Sequence, residues 1–155
     1  MFAWLKSALT PPSPAGPPEQ VCVFGATDAP LTRDGVTFED GAWRIEADGP
    51  RTVSLFEITD PGIEHCVLSY RARIRTANLK GGAFLEMWCR LPGRGDFFSK
   101  GFARRATGTT DWISHEVPFF LKQGQSPDLI KLDLAIDGRG TVWIRDVEVL
   151  MTPLA

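Results

Sequence analysis

The feature that most constrains this chain of 155 residues is a strict alternation of apolar and charged side chains. In the stretch "CVLSYRARIRT", apolar side chains occupy every second position, and Arg71, Arg73 and Arg75 occupy positions between them. Successive side chains of a β-strand point to opposite faces, so this stretch predicts a strand with one buried and one solvated face. "GAFLEMWCRL" alternates in the same way and predicts a second such strand.

The alternation recurs from Val21 onward and sets the fold class. "GVTFED", "GAWRIEAD", "RTVSLFEI", "DWISHEVPFF" and "DLIKLDLAI" read as further strands between turns rich in Gly, Pro and Asp. Short strands at this spacing, each with one wet face, predict antiparallel pairing in a sandwich or barrel. The side chains expected in the core are Leu68, Tyr70, Ile74, Leu85, Met87, Ile130, Leu132, Leu134, Val142 and Ile144.

The stretch "VWIRDVEV" breaks the alternation near the end of the chain. Val142 and Ile144 are expected to face inward, but the apolar set resumes at Val147, one residue out of register. Such a shift predicts a β-bulge near Asp146, because an extra residue restores the buried face. Trp143 should then cover the outer face of its sheet.

Four stretches in order resemble the galactose-binding-domain-like jelly rolls, which include many carbohydrate-binding modules. They are "FEDGAW", "YRARIRT", "TTDWISHEVPF" and "LIKLDLAIDGRGTVWIRDVEVL", and together they span about residues 36–150. The resemblance implies an all-β fold, an antiparallel jelly-roll β-sandwich of two sheets. It also implies a possible structural calcium site at Glu39, Asp40 and Asp146, although Arg145 stands where the family often has an acid.

The first twenty residues differ from the rest and define a separate segment, so the expected β-sandwich domain spans 21–155. "PPSPAGPP" is a semi-rigid, proline-rich spacer. Before it, Phe2, Leu5 and Leu9 fall on one face of a short helix, with Trp4 at its margin. Two interpretations stay open: a frayed terminus, or an apolar plug that docks on a partner protein or a membrane interface.

The outward positions of the strands supply candidate binding residues. Aromatic and arginine side chains on an exposed sheet form a stacking platform suited to a sugar ring or to a protein partner. The alternative is that cross-strand ion pairs and covering loops account for them. The candidates on strands are Arg71, Arg73, Phe84, Trp88, Arg90 and Trp143, and those in a glycine-rich loop are Phe97 and Phe98.

Composition and spacing exclude several functions. A formal net charge of −2 gives no electrostatic basis for binding nucleic acid. His65 and His115, the two histidines, have strand neighbours that point to opposite faces, so no catalytic triad is indicated and no enzyme is expected. The three cysteines lack zinc-site spacing and are expected to be buried free thiols.

Two functions remain as expectations. The first is a non-catalytic interaction or accessory subunit, docked on a protein complex or membrane surface through the N-terminal segment. It is favoured by unpaired cysteines and by a start, "MFAWLKSALT", that makes a poor signal peptide, so the expected location is cytoplasmic or membrane-peripheral. The second is a carbohydrate-binding module, which the resemblance favours.

Overall fold

The computed structural model describes residues 13–155, and strands account for most of them. The strands are β1 (Glu19–Phe24), β2 (Val36–Glu39), β3 (Ala42–Ala47), β4 (Arg51–Thr59), β5 (Cys66–Leu91), β6 (Gly95–Lys100), β7 (Ala106–Leu121), β8 (Leu129–Ile136) and β9 (Arg139–Pro153). A 3-10 turn, Phe102–Arg104, links β6 to β7. Within residues 13–155, no helix is long and apolar enough to cross a membrane.

The long strand β5 belongs to two layers. Its first part pairs with β9 on one side and with β7 on the other, and its second part, from Ala83, pairs with β8 and β6. The strands β2, β3, β9, the first part of β5 and β7 form what we call the β9 layer, with β1 also paired to β9. The strands β4, β8, the second part of β5 and β6 form the β8 layer. All of these pairings are antiparallel, as the alternation predicts.

The bend in β5 needs a glycine. Gly81 has a φ of +83°, in the left-handed region, and a Cβ at this position would lie 2.6 Å from the carbonyl oxygen of Asp137. Both the backbone angle and the close approach exclude a side chain here. The glycine therefore allows one strand to pass from the β9 layer to the β8 layer.

The two layers face each other across one core, which makes the fold a sandwich. The hydroxyl of Tyr70, on β5 in the β9 layer, donates to the carbonyl oxygen of Asp133 on β8, at 3.2 Å. Trp43 of the β9 layer packs edge-on against Phe56 of the β8 layer, with ring centroids 5.3 Å apart. All ten side chains predicted for the core are buried, which confirms the period-2 assignment.

The predicted β-bulge is present in β9. Arg71 lies opposite Glu148 and Arg73 lies opposite Arg145, so β9 carries one extra residue between these pairs. Asp146 occupies this position with a φ of 54°. Val147 is consequently buried, because the extra residue returns the apolar positions to the inner face.

The last part of the predicted spacer lies against the end of the sandwich. The backbone N–H of Ala15 donates to the carbonyl oxygen of Pro153 at 2.7 Å, and that of Ala155 donates to Ser13 at 2.9 Å. β1 begins at Glu19, two residues before the domain boundary predicted from the sequence. Proline lacks only the N–H group, so the carbonyl groups and the non-proline residues of this stretch still pair.

The cysteines are free thiols, as predicted. Cys66 and Cys89 are buried and Cys22 is partly buried. Burial raises the pKa of the Cys66 thiol to about 11 and that of Cys89 to about 12. Thiols protonated at neutral pH are poor nucleophiles, so both serve as small apolar side chains of the core.

Candidate functional site

The structure assigns the predicted strand residues to opposite sides of the sandwich. Arg71, Arg73 and Trp143 point outward from the β9 layer. Phe84, Trp88 and Arg90 point outward from the β8 layer, because β5 changes layer between the two sets. They form two separate surfaces, which we call the β9 face and the β8 face.

Cross-strand register places the central side chains of the β8 face. Glu86 of β5 lies opposite Asp133 of β8, and Trp88 lies opposite Lys131. On the other side of β5, Trp88 lies opposite Phe98 of β6. Side chains directly opposite one another in antiparallel strands lie in contact range, so these residues form one continuous surface.

The middle of the β8 face is recessed. Glu86 is 6% exposed and Asp133 is 8% exposed, although both point away from the core. On the rim, Phe98 is 54% exposed. The carboxyl groups of Glu86 and Asp133 therefore lie below the level of exposed neighbours such as Phe98, and we call this surface the β8 groove.

Two carboxyl groups at the bottom of the groove dominate its electrostatics. Burial, followed by the charge of Glu86, raises the pKa of Asp133 to about 6, while Lys131 opposes the shift. Glu86 is neutralised in part by Lys100 of β6, whose Nζ lies 3.3 Å from Oε1. The groove therefore holds hydrogen-bond acceptors and, near pH 6, a carboxyl group that can also donate.

Aromatic rings form one wall of the groove. The rings of Trp88 and Phe98 have centroids 4.9 Å apart at an interplanar angle of 46°. The Nζ of Lys100 lies 4.7 Å from the Phe98 centroid, and Phe102 packs edge-on against Phe84 at 5.4 Å. An exposed ring beside carboxyl groups can stack on the C–H face of a sugar while the carboxyl groups bind its hydroxyls.

The tryptophans of the β9 face are covered by arginines. The guanidinium of Arg75 lies 4.7 Å from the Trp143 ring centroid, and that of Arg44 lies 5.9 Å from it. Arg145 covers Trp112 of β7 in the same way, at 4.1 Å. Trp143 is only partly exposed, which agrees with the prediction that it covers its sheet. Because cations occupy these rings, the β9 face has little free aromatic surface.

Two of the predicted arginines make ion pairs. Arg71 pairs with Glu116 on β7 at 2.9 Å, and Arg90 pairs with Asp128 at 2.8 Å. These contacts agree with the alternative that ion pairs account for part of the charged pattern. Arg73 makes no ion pair within residues 13–155.

The residues predicted for a calcium site have other partners or lie in a turn. No group of three or more acidic, histidine or cysteine side chains in residues 13–155 is placed to hold a metal ion. Glu39 instead pairs with Arg44 at 3.5 Å and accepts a hydrogen bond from the Trp143 indole at 3.4 Å. Asp146 lies 3.6 Å from Arg145, and Asp40 occupies the turn between β2 and β3. Arginines therefore contact two of the three carboxylates predicted for the site.

The remaining residues predicted for binding lie away from the β8 groove or outside residues 13–155. Phe97 is exposed on the edge strand β6, where it lies opposite Cys89. Phe2, Trp4, Leu5 and Leu9 lie outside the described residues. The sequence prediction of site residues omitted Glu86, Asp133, Lys131 and Lys100, although the first two alternate with buried apolar residues on the groove strands.

Comparison with known proteins identifies the architecture. No protein-family model matches the sequence, and no curated protein matches it. Among solved structures, the xylan-binding CBM22-1 domain of Xyn10C from Paenibacillus barcinonensis is 14% identical to this chain, with a TM-score of 0.58. The alignment covers 91% of this chain and 99% of that one. The chain has the β-sandwich fold of carbohydrate-binding modules.

Two further structures agree with this assignment. A CBM4 module is 11% identical with a TM-score of 0.55, and the alignment covers 75% of this chain and 74% of that one. A family 16 carbohydrate-binding module is 13% identical with a TM-score of 0.50, over 82% and 84% of the two chains. At these identities the likeness shows the fold, and the ligand has to be argued from the β8 groove.

Proposed function

We propose that this chain is a non-catalytic carbohydrate-binding module whose ligand lies in the β8 groove. The observation that carries the proposal is the pairing of an exposed ring, Phe98, and Trp88 with two buried carboxyl groups, Glu86 and Asp133, in one trough. Sugars present apolar C–H faces and polar hydroxyl edges, and the groove offers a partner for each.

Each group has a separate role in the proposed complex. Trp88 and Phe98 stack on a sugar ring and exclude water from one side of it. Glu86 and Asp133 accept hydrogen bonds from hydroxyl groups, and Lys131 donates to ring or hydroxyl oxygens. Because Lys100 already binds Glu86, that carboxylate is held in position before a ligand arrives.

The structural neighbours support this choice. The three solved structures with this fold are carbohydrate-binding modules, and one of them is a xylan-binding domain. They favour carbohydrate over the alternative expected from the sequence, an accessory subunit that docks on a protein complex or membrane. That alternative rests on Phe2, Trp4, Leu5 and Leu9 and stays a prediction, as does the cytoplasmic location.

The proposal is tested by binding measurements on the purified chain. Native gels containing soluble xylan, β-glucan or galactan will reveal a retarding polysaccharide, and titration calorimetry with its oligosaccharide will give the affinity. We expect Trp88→Ala to weaken binding about tenfold or more, because losing a central aromatic anchor costs about 1–2 kcal/mol.

The matched control is Trp143→Ala, which removes the same side chain from the opposite face. It should leave the affinity unchanged. Failure of the wild-type chain to bind any of these polysaccharides, or equal affinity of Trp88→Ala and wild type, would contradict the proposal. Melting curves of both variants separate a lost contact from a lost fold.

A further inference from the structure

A cavity lies along the free edge of β7. Its volume is about 780 Å³, within the usual range for small-molecule sites. Residues from both faces of this edge strand line it, together with residues around the 3-10 turn that precedes the strand. We call it the β7 cleft.

Four arginines and three acidic residues line the β7 cleft. Arg73, Arg104 and Arg105 line it, and none of them makes an ion pair within residues 13–155. The guanidinium of Arg105 lies 4.5 Å from the centroid of Phe102, which leaves its edge available. Guanidinium groups bind oxyanions in a planar, bidentate geometry, so the cleft is suited to carboxylate or sulfate.

Neutral and acidic residues line the cleft together with these arginines. The hydroxyl-bearing residues Thr107 and Ser114 line the same cleft, and so do the acidic residues Asp146 and Glu148. A ligand with a charge on every unit, such as a nucleic acid backbone, would be repelled by these acids. A chain that carries acidic groups between neutral hydroxyl-rich stretches matches the mixture.

We propose that the β7 cleft is a second binding site, specific for an acidic polysaccharide that contains uronic acid units. Arg73 and Arg104 bind the uronate carboxylates, and Thr107 and Ser114 bind neighbouring hydroxyls. The site is separate from the β8 groove, so it holds whether or not a neutral glycan binds there.

The test uses calorimetry at low salt with a short, partly methyl-esterified oligogalacturonate, whose acidic units lie between neutral ones. The fully methyl-esterified oligosaccharide has the same chain without charge. We expect its affinity to be lower by a factor of about ten or more. The double variant Arg73→Ala/Arg104→Ala should bind the charged oligosaccharide more weakly by a similar factor. Raising the salt concentration should weaken binding to the wild type more than to this double variant.

The matched control is Arg94→Ala/Arg139→Ala, which changes the net charge equally at two exposed arginines outside the cleft. It should bind oligogalacturonate like the wild type, and so should Trp88→Ala, which alters only the β8 groove. These two results separate the two proposals, because loss of binding in the arginine variant alone concerns the β7 cleft and loss in Trp88→Ala alone concerns the β8 groove.

Four results would overturn the second site. They are no binding of oligogalacturonate, equal binding of its methyl ester, equal binding by Arg73→Ala/Arg104→Ala, or tighter binding of an oligothymidylate of equal charge. The last result would identify a general polyanion surface instead. Melting temperatures of the double variants confirm that each compared protein is folded.

Discussion

The β8 and β9 faces are built from the same alternating pattern and differ in what they leave open. On the β9 face, arginines cover Trp143 and Trp112, and the charged groups themselves are largely exposed. On the β8 face, the carboxyl groups of Glu86 and Asp133 are buried and an aromatic ring is exposed. The first arrangement closes a surface, whereas the second leaves a surface that can take a ligand.

The difference shows that outward position alone does not define a binding face. In the β9 layer, neighbouring strands place cations beside the tryptophans, so cation–π contacts replace a ligand. In the β8 layer, β6 brings Phe98 and Lys100 beside Trp88 and Glu86. The Lys100 ammonium lies 4.7 Å from the Phe98 centroid, yet this phenylalanine stays 54% exposed. Cross-strand neighbours decide which outward residues remain available.

The largest effect that tests this comparison is the pH dependence contributed by Asp133. Its pKa in the folded protein, about 6, lies above the ordinary value of 3.8. Deprotonation is therefore costlier in the folded state, and the stabilisation present below pH 4 is lost as pH rises through 6. We expect a loss on the order of 1–3 kcal/mol in the free energy of unfolding between pH 4 and 7.

Chemical denaturation at several pH values checks this, with Asp133→Asn as the comparison. The difference in unfolding free energy between the two proteins should shift by that amount over this range. A constant difference between wild type and Asp133→Asn would show that the bottom of the groove is solvated, like the β9 face.

An intermediate effect concerns the contact that holds the two layers in register. Tyr70→Phe removes the hydroxyl that donates to the Asp133 carbonyl and leaves the ring in place. We expect the free energy of unfolding to fall by about 1 kcal/mol, because a buried acceptor loses its partner. Urea denaturation measures this, and a gain in stability would show that the hydrogen bond does not join the layers.

The smallest effect is expected for the ion pair on the β9 face. Arg71 and Glu116 are each about half exposed, so their attraction is screened by solvent. A double-mutant cycle with Arg71→Ala and Glu116→Ala should give a coupling energy of about 0.2–1 kcal/mol that decreases with added salt. A coupling well above 1 kcal/mol would contradict the description of this face as an ordinary solvated surface.

The strand pattern predicted the elements well, and the predictions of sites were weaker. Leu68, Tyr70 and Ile74 are buried as period 2 requires, and the bulge at Asp146 follows from the register of Val147. The resemblance also predicted a calcium site, and two of its three residues, Glu39 and Asp146, lie beside Arg44 and Arg145. A family resemblance transfers a fold, but a ligand set depends on each neighbouring side chain.

The sequence by itself determined which residues form strands, which side of each strand is buried, and where β9 must gain a residue. These properties follow from local alternation, because side-chain direction in a strand repeats every two residues. Only the tertiary structure decided that β5 crosses between layers, that Arg71 and Trp88 lie on opposite faces, and that Glu86 meets Asp133. Alternation specifies the face of a side chain and not its cross-strand neighbour, which depends on how distant strands pack around the shared core.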